Sequence, residues 1–344
     1  MKRFRTKAVA ALVVPVVAIG TASASAASGA ADQPHQVITD VRTAAAFDYA
    51  AGQQPESVSI TRDGSLIVSM LGFLVGKPPE LVRVSPSGQQ TILVTGPVGD
   101  AIGGNAIGRD GTIYYNVVSP DPSRSGVWRL APYSAAQRIA AMPAGQFLNG
   151  LTLDSSNRTL YVADSVASTI WTIPASGGEA RPWLVGPALA PSPSGSGIGA
   201  NGIKYHNGAV WFSNTDQGTL FRVPITASGA PGPTHLIAGN LAGIDDFTLL
   251  SDRSDVVFAA LNFQNELAVV YPDGRTRVVL DAASGLDSPT NIAIRGTRIY
   301  ITNSGLAAPN NASLQAGKIN IVRLVRRPLG RGGHAGPAGV SRRS

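Results

Sequence analysis

The chain of 344 residues contains no cysteine. That excludes a disulfide framework, a thiolate metal site and a lipid anchor of the bacterial lipoprotein type. Charge is scarce, at 14% of residues, while 44% are hydrophobic, a balance that suits a packed chain and not a disordered one. Histidine is also scarce. Of the four, His206 falls in a tight turn, His235 near an outer strand, and His35 and His334 towards the ends. None is placed as a catalytic base, which argues against a Ser-His-Asp hydrolase. There is no phosphate-binding glycine loop with a following lysine. Glycine (39) and proline (24) are plentiful, as a fold with many turns requires.

The net charge of +7 is concentrated at the ends. Lys2, Arg3, Arg5 and Lys7 are followed by the apolar run 9–19 and by Ala24-Ser25-Ala26. This is the order of a secretory signal peptide: basic segment, short apolar stretch, small-residue cleavage site. The run is too short for a membrane span, and the arginines are unpaired, which points to the general secretory route. Arg326, Arg327, Arg331, Arg342 and Arg343 lie in a Gly/Pro-rich tail without an acid and read as solvated and disordered. Those nine charges exceed the total, so the body between them is mildly acidic and is not expected to bind nucleic acid. The expected organisation is a signal peptide over 1–26, a linker over 27–34, a folded unit over 35–325 and a basic tail over 326–344. Secretion without stable membrane insertion follows from the same reading, and a monomer is expected because nothing in the sequence suggests an oligomer.

One pattern recurs six times, roughly every 45–50 residues: a polar or small residue, an alternating apolar strand, a tight polar turn and a second β-rich strand. The copies begin at Glu56, Gly104, Asn149, Asn201, Asp245 and Thr290. Third strands follow, such as 80–84 and 169–173, then turns such as Ser85-Pro-Ser-Gly and Tyr271-Pro-Asp-Gly, then weaker fourth strands. Hairpin turns between β-branched runs at this period predict an all-β, six-bladed β-propeller with four-stranded blades. The last blade lacks a fourth strand if its third spans 318–324. The segment 36–42 can supply it and close the ring without open edges.

Asn149-Gly-Leu-Thr-Leu with Leu160-Tyr-Val-Ala-Asp, Asn201-Gly-Ile with Val210-Trp-Phe-Ser-Asn, and Pro289-Thr-Asn-Ile-Ala-Ile resemble the senescence marker protein 30 / gluconolactonase / luciferin-regenerating-enzyme family over about residues 36–324. The resemblance implies a divalent cation, usually calcium, on the propeller axis. Its ligands would be Glu56 from the first blade, Asn201 from the fourth and Asp245 from the fifth, with Asn149 beside them for substrate. Such oxygen-only donors suit a hard cation. Asp246 competes for the fifth-blade slot, but counting back from the second strand puts Asp245 in register with Asn149. There are departures from the family pattern. Gln146-Phe147-Leu148 stand where its sugar-lactone enzymes carry an arginine, and Glu56 is followed by Ser57-Val58 where the family has Gly-Pro.

The long loops 71–79, 118–126, 186–199 and 305–317 fall on the face where inner strands begin, which is where a working site is expected. Phe73 and Phe263 in these loops are candidate walls for an apolar substrate, and 186–199 a flap or an insertion. Asp164, Asn214 and Asn303 read as loop caps. The resemblance implies a metal-dependent hydrolase of a lactone or ester, with Asp245 as general base acting on a small-molecule substrate. A non-catalytic propeller that binds a small ligand or protein partner, and a lyase on the same face, are the alternatives.

Overall fold

In a computed structural model, which describes residues 36–143 and 145–325, the chain forms six four-stranded antiparallel sheets. The signal peptide, linker and basic tail read from the sequence lie outside the described residues. Each sheet is one blade, a six-bladed β-propeller as expected. The inner strands are Pro55–Ile60, Ala101–Ile107, Leu148–Leu153, Ala200–His206, Ile244–Ser251 and Pro289–Arg295. Each packs beside the inner strand of the next blade, and the sixth returns to the first.

Both faces of every blade are covered by neighbours, so the strands read as nearly continuous apolar runs, as in Leu66–Met70, which is buried throughout. The core is accordingly divided into six clusters, one per blade junction. Trp211 and Leu220 of the fourth blade pack on Phe247 and Val257 of the fifth. Phe258 and Val269 of the fifth pack on Ile292 and Ile301 of the sixth.

Ring closure follows the expected scheme with one correction. The N-terminal strand Ile38–Ala46 pairs with the third strand of the sixth blade. That third strand is Ser313–Ile319, earlier in the chain than the 318–324 expected, and Ile321–Val325 is instead a short helix. Asn320 starts it, its Oδ1 accepting from Arg323 N at 3.2 Å. The helix buries Leu324 against the last two blades. An apolar run that serves a strand equally well is thus claimed by a local cap.

A bulge stands at the head of every inner strand. The pairing skips between Leu148 and Leu151, Ala200 and Ile203, Ile244 and Phe247, Pro289 and Ile292, Ile102 and Asn105, and Pro55 and Ser57. One extra residue re-aims the side chains there and leaves ladder groups unpaired. The first bulged residues are Glu56, Gly103, Asn149, Asn201, Asp245 and Thr290. The sequence-based assignment of Gly104 to the second blade is therefore off by one.

At every junction a side chain of one blade donates to a head carbonyl of the next. The donors and acceptors are Ser69 Oγ to Gly103 O, Asn116 Nδ2 to Asn149 O, Ser165 Oγ to Ala200 O, Ser213 Oγ to Asp245 O, Asn262 Nδ2 to Pro289 O, and Thr290 Oγ1 to Pro55 O. The distances run from 2.6 to 3.3 Å.

Close approach of the heads fixes the glycines that follow them. A Cβ on Gly150 would lie 2.5 Å from Asn201 O, whereas one on Gly186 would meet nothing within 4 Å. Gly150→Ala is expected to lower stability by roughly 1–3 kcal/mol, and Gly186→Ala to stay within about 0.5 kcal/mol of wild type. Urea unfolding midpoints check both.

Candidate functional site

The bulges bring acids of different blades to the axis. Glu56 and Asp245 occupy matching slots, and Asp246 occupies the second bulged slot, where the third and fourth blades have Gly150 and Gly202. Asp245 and Asp246 are 8% and 6% exposed. Glu56 keeps partial exposure but is packed round by protein, and that desolvation, with the charge of Asp246 added, pushes its carboxyl up to about 7. Burial raises Asp245 well above the usual range, with Glu56 and then Asp246 adding to it. The amides of Asn201 and Asn262 oppose this. Burial also raises Asp246, and Lys204 works against it.

Two layers separate along the axis. In the upper layer, Asn262 Nδ2 donates to Asp245 Oδ2 at 3.2 Å. Asn201 Nδ2 donates to Thr215 Oγ1 at 2.9 Å, and its buried Oδ1 has no donor. In the lower layer, Lys204 Nζ lies 2.6 Å from both oxygens of Asp246. The amide of Asn291 reaches the same carboxylate, and Phe247 N donates to it at 2.7 Å. Asp246 is therefore saturated with donors and Asp245 is not. Of the fifth-blade pair, Asp245 is the acid with spare acceptor capacity.

Among the described residues, no three of His, Asp or Glu gather as a metal cluster. The upper layer is a mixed set: two mutually repelling carboxylates and an orphaned amide oxygen. A buried acceptor without a donor calls for a partner, and oxygen ligands of this kind match a hard cation. Glu56, Asp245 and Asn201 are the residues that could hold one.

The remaining candidates divide. Phe263, 55% exposed, lies in the turn Asn262–Gln264 directly after the Asp245 partner Asn262. Phe73, 37% exposed, lies in the corresponding turn Phe73–Val75 of the first blade, on the same face. Asn149 shares the slot of Asn201, but its amide goes to Ser165 Oγ at 3.4 Å and to neither carboxylate. The loop 186–199 is a pinned insertion. Asp216 accepts from Ser192 N, Ser196 N, Ser196 Oγ and Gly197 N, and Asn214 donates to Ala188 O and Ala190 O. Asp164 caps its own loop, accepting from Val166 N and Ala167 N.

Lys204, Asn262 and Asn291 were not singled out from the sequence. Lys204 had a signal: aligned on the bulges, the inner strands carry Ser59, Ala106, Thr152, Lys204, Thr248 and Ala293 at one level, and only one is charged.

No family profile matches the chain, and no curated protein matches it in sequence. Solved structures do. A gluconolactonase from Xanthomonas campestris is 13% identical with a TM-score of 0.61, over 85% of this chain and 94% of its own. A putative gluconolactonase is 14% identical with a TM-score of 0.59, over 82% and 92%. Virginiamycin B lyase from Staphylococcus aureus is 14% identical with a TM-score of 0.53, over 82% and 99%, and it is inactivated when a histidine is replaced by alanine. At such identities the likeness is one of fold: this chain shares the propeller architecture of gluconolactonase-like and lyase proteins.

The raised acids give the metal-free protein a defined pH response. An acid held above its unfolded pKa contributes stability that is fully present below that value and lost as pH rises through the folded one. For Glu56 the loss runs from 4.5 to about 7, with Asp245 and Asp246 acting in the same direction. Asp63, lowered to about 2, acts below this window. In chelator, the urea midpoint is expected to fall between about pH 5 and about pH 8 and to flatten in Glu56→Gln with Asp245→Asn. A slope unchanged in that variant would place its origin elsewhere.

Proposed function

We propose that this protein is a secreted, metal-dependent hydrolase of a lactone or related ester, gluconolactonase-like in chemistry as well as in fold. The observation that carries the reading is the upper axial layer: Glu56 and Asp245 repel one another in a buried site beside an unpaired Asn201 oxygen. Glu56, Asp245 and Asn201 would hold one divalent cation, calcium by the character of the donors. The cation, when bound, supplies Lewis-acid polarisation of a carbonyl and a lowered pKa for water.

The chain's own groups do the rest. Asp245 has one oxygen held by Asn262, which leaves the other to accept a proton from an attacking water. Asn149 lies within the ring of heads, where its amide can orient a substrate oxygen. Phe73 and Phe263 stand exposed on the same face and would line an apolar flank of the substrate. Lys204 pairs with Asp246, which offsets part of the repulsion that the lower layer adds to Glu56 and Asp245. Export by the N-terminal segment and action as a monomer complete the reading.

A second reading is a non-catalytic propeller that binds a small ligand. It is favoured by Gln146-Phe147-Leu148, where the resembled sugar-lactone enzymes carry an arginine. A lyase fits less well. The described histidines lie off the axis, His206 at the far end of an inner strand against Asp255 and His235 on an outer strand.

Calorimetry with calcium, followed by assay of sugar lactones and aryl esters, tests the proposal. Wild type is expected to bind one ion. Glu56→Gln and Asp245→Asn should each weaken binding at least about tenfold, and Asp245→Asn should lower kcat/KM about 100-fold or more. Absence of binding by calcium, magnesium, manganese and zinc would overturn the metallohydrolase. Tight calcium binding without turnover of any lactone or ester would favour the ligand-binding reading.

A further inference from the structure

The face opposite the axial acids carries a concavity at the seam where the first blade meets the last. It has a volume of about 490 Å³ and shares Arg42, Thr297, Arg298 and Tyr300 with an adjoining lobe of about 400 Å³. This is the size range of small-molecule sites. One wall is the sixth-blade sheet, and the other is built from the first-blade turns at Asp63-Gly64 and Ser85–Gly88.

Pairing fixes what the sheet presents. Arg42 lies opposite Ala316, which lies opposite Tyr300, and Arg298 lies opposite Lys318. Residues two apart share a face, so Arg42, Arg298, Lys318 and Tyr300 all look into the cleft.

The charges are unequal. Arg42, Arg295, Arg298 and Lys318 line the two lobes against Asp40 and Asp63. Asp63 is already paired with Arg83. Arg295 is committed to the first-blade turn, donating to Thr61 O at 3.2 Å and Arg62 O at 3.0 Å. The guanidinium groups of Arg42 and Arg298 and the ammonium of Lys318 are exposed and have no partner among the described residues. Unpaired like charges converging on a concavity lack only an anion, and planar guanidinium forks match the oxygens of a phosphate.

We propose that the seam cleft is a binding site for a phosphate group, held by Arg42 and Arg298 with Lys318 at its rim. The group could belong to a soluble phosphate ester or to the headgroup of an anionic lipid. The site is independent of the axial acids and of any activity there.

Calorimetry with inorganic phosphate and sedimentation with vesicles of phosphatidylglycerol, against pure phosphatidylcholine, test it on the full chain. The basic tail is controlled by a variant in which its five arginines become serine. Wild type and the tail variant are expected to bind phosphate, more weakly as salt rises. Arg42→Gln with Arg298→Gln should bind about tenfold or more weakly, with its urea midpoint unchanged because both side chains are exposed. Arg42→Lys with Arg298→Lys should fall between. Calcium binding should be the same in all of them, which separates failure here from failure of the axial reading. Phosphate binding without vesicle binding assigns a soluble ligand. Vesicle binding that the glutamine pair abolishes assigns a lipid headgroup. No binding to either probe, binding that survives the glutamine pair, or binding lost with the tail arginines overturns the proposal.

Discussion

The bulge at the head of each inner strand is the constraint on which the rest depends. An extra residue removes a carbonyl from its ladder, and a carbonyl buried near the axis cannot be left unpaired without a cost of about 1–3 kcal/mol. The preceding blade supplies the donor at all six junctions, using whichever polar residue it has: serine, threonine or asparagine. One local irregularity therefore produces three outcomes at once. It locks neighbouring blades, it forces glycine where heads nearly touch, and it turns the first bulged residue towards the axis. Scaffold and site are in this sense a single device. Asn262 shows it most directly, since one amide nitrogen serves both Pro289 O of the next blade and the Asp245 carboxylate.

Three carboxylates at one axis are expensive, and the chain treats them unequally. Asp246 receives an ammonium, an amide and a backbone N–H, so its charge is compensated within the fold. Asp245 receives amides alone, and burial together with the charges of neighbouring carboxylates holds both it and Glu56 above their usual range. A structural network would be expected to satisfy every member. Compensation that stops one layer short is what separates a supporting group from a group left available for chemistry. Lys204 marks that boundary. It stacks near Phe247 and holds the acid of the lower layer, leaving the upper layer without a cation of its own.

The period of the repeat, the alternation of its strands and its turn residues made the propeller legible, because each blade repeats one solution to one packing problem. The matching slots of Glu56, Asn149, Asn201 and Asp245 were legible for the same reason. Three features were not. Gly103 and Gly104 cannot be told apart by composition, since the register at a bulge is decided by pairing with Val117 and Tyr115. The end of the last blade was misplaced because Ile321, Val322 and Leu324 suit a strand, whereas the cap at Asn320 and the burial of Leu324 beside Tyr271 are tertiary facts. The Lys204–Asp246 pair was invisible for a third reason: its partners are 42 residues apart and meet only once adjacent blades are stacked.

The two faces of the ring differ in how their polar groups are presented. On the axial face the bulges turn acids inward, away from water, where each charge is strongly felt by its neighbours. On the opposite face the turns are tight, and the cations of the seam stay exposed, where repulsion is screened and little is lost by keeping them unpaired. The seam also draws on both ends of the chain, with Arg42 from the N-terminal strand and Arg298 and Lys318 from the last described strands. All three cations belong to the sixth-blade sheet, so they converge once the N-terminal strand has paired with Ser313–Ile319, and the first-blade turns then wall the cleft.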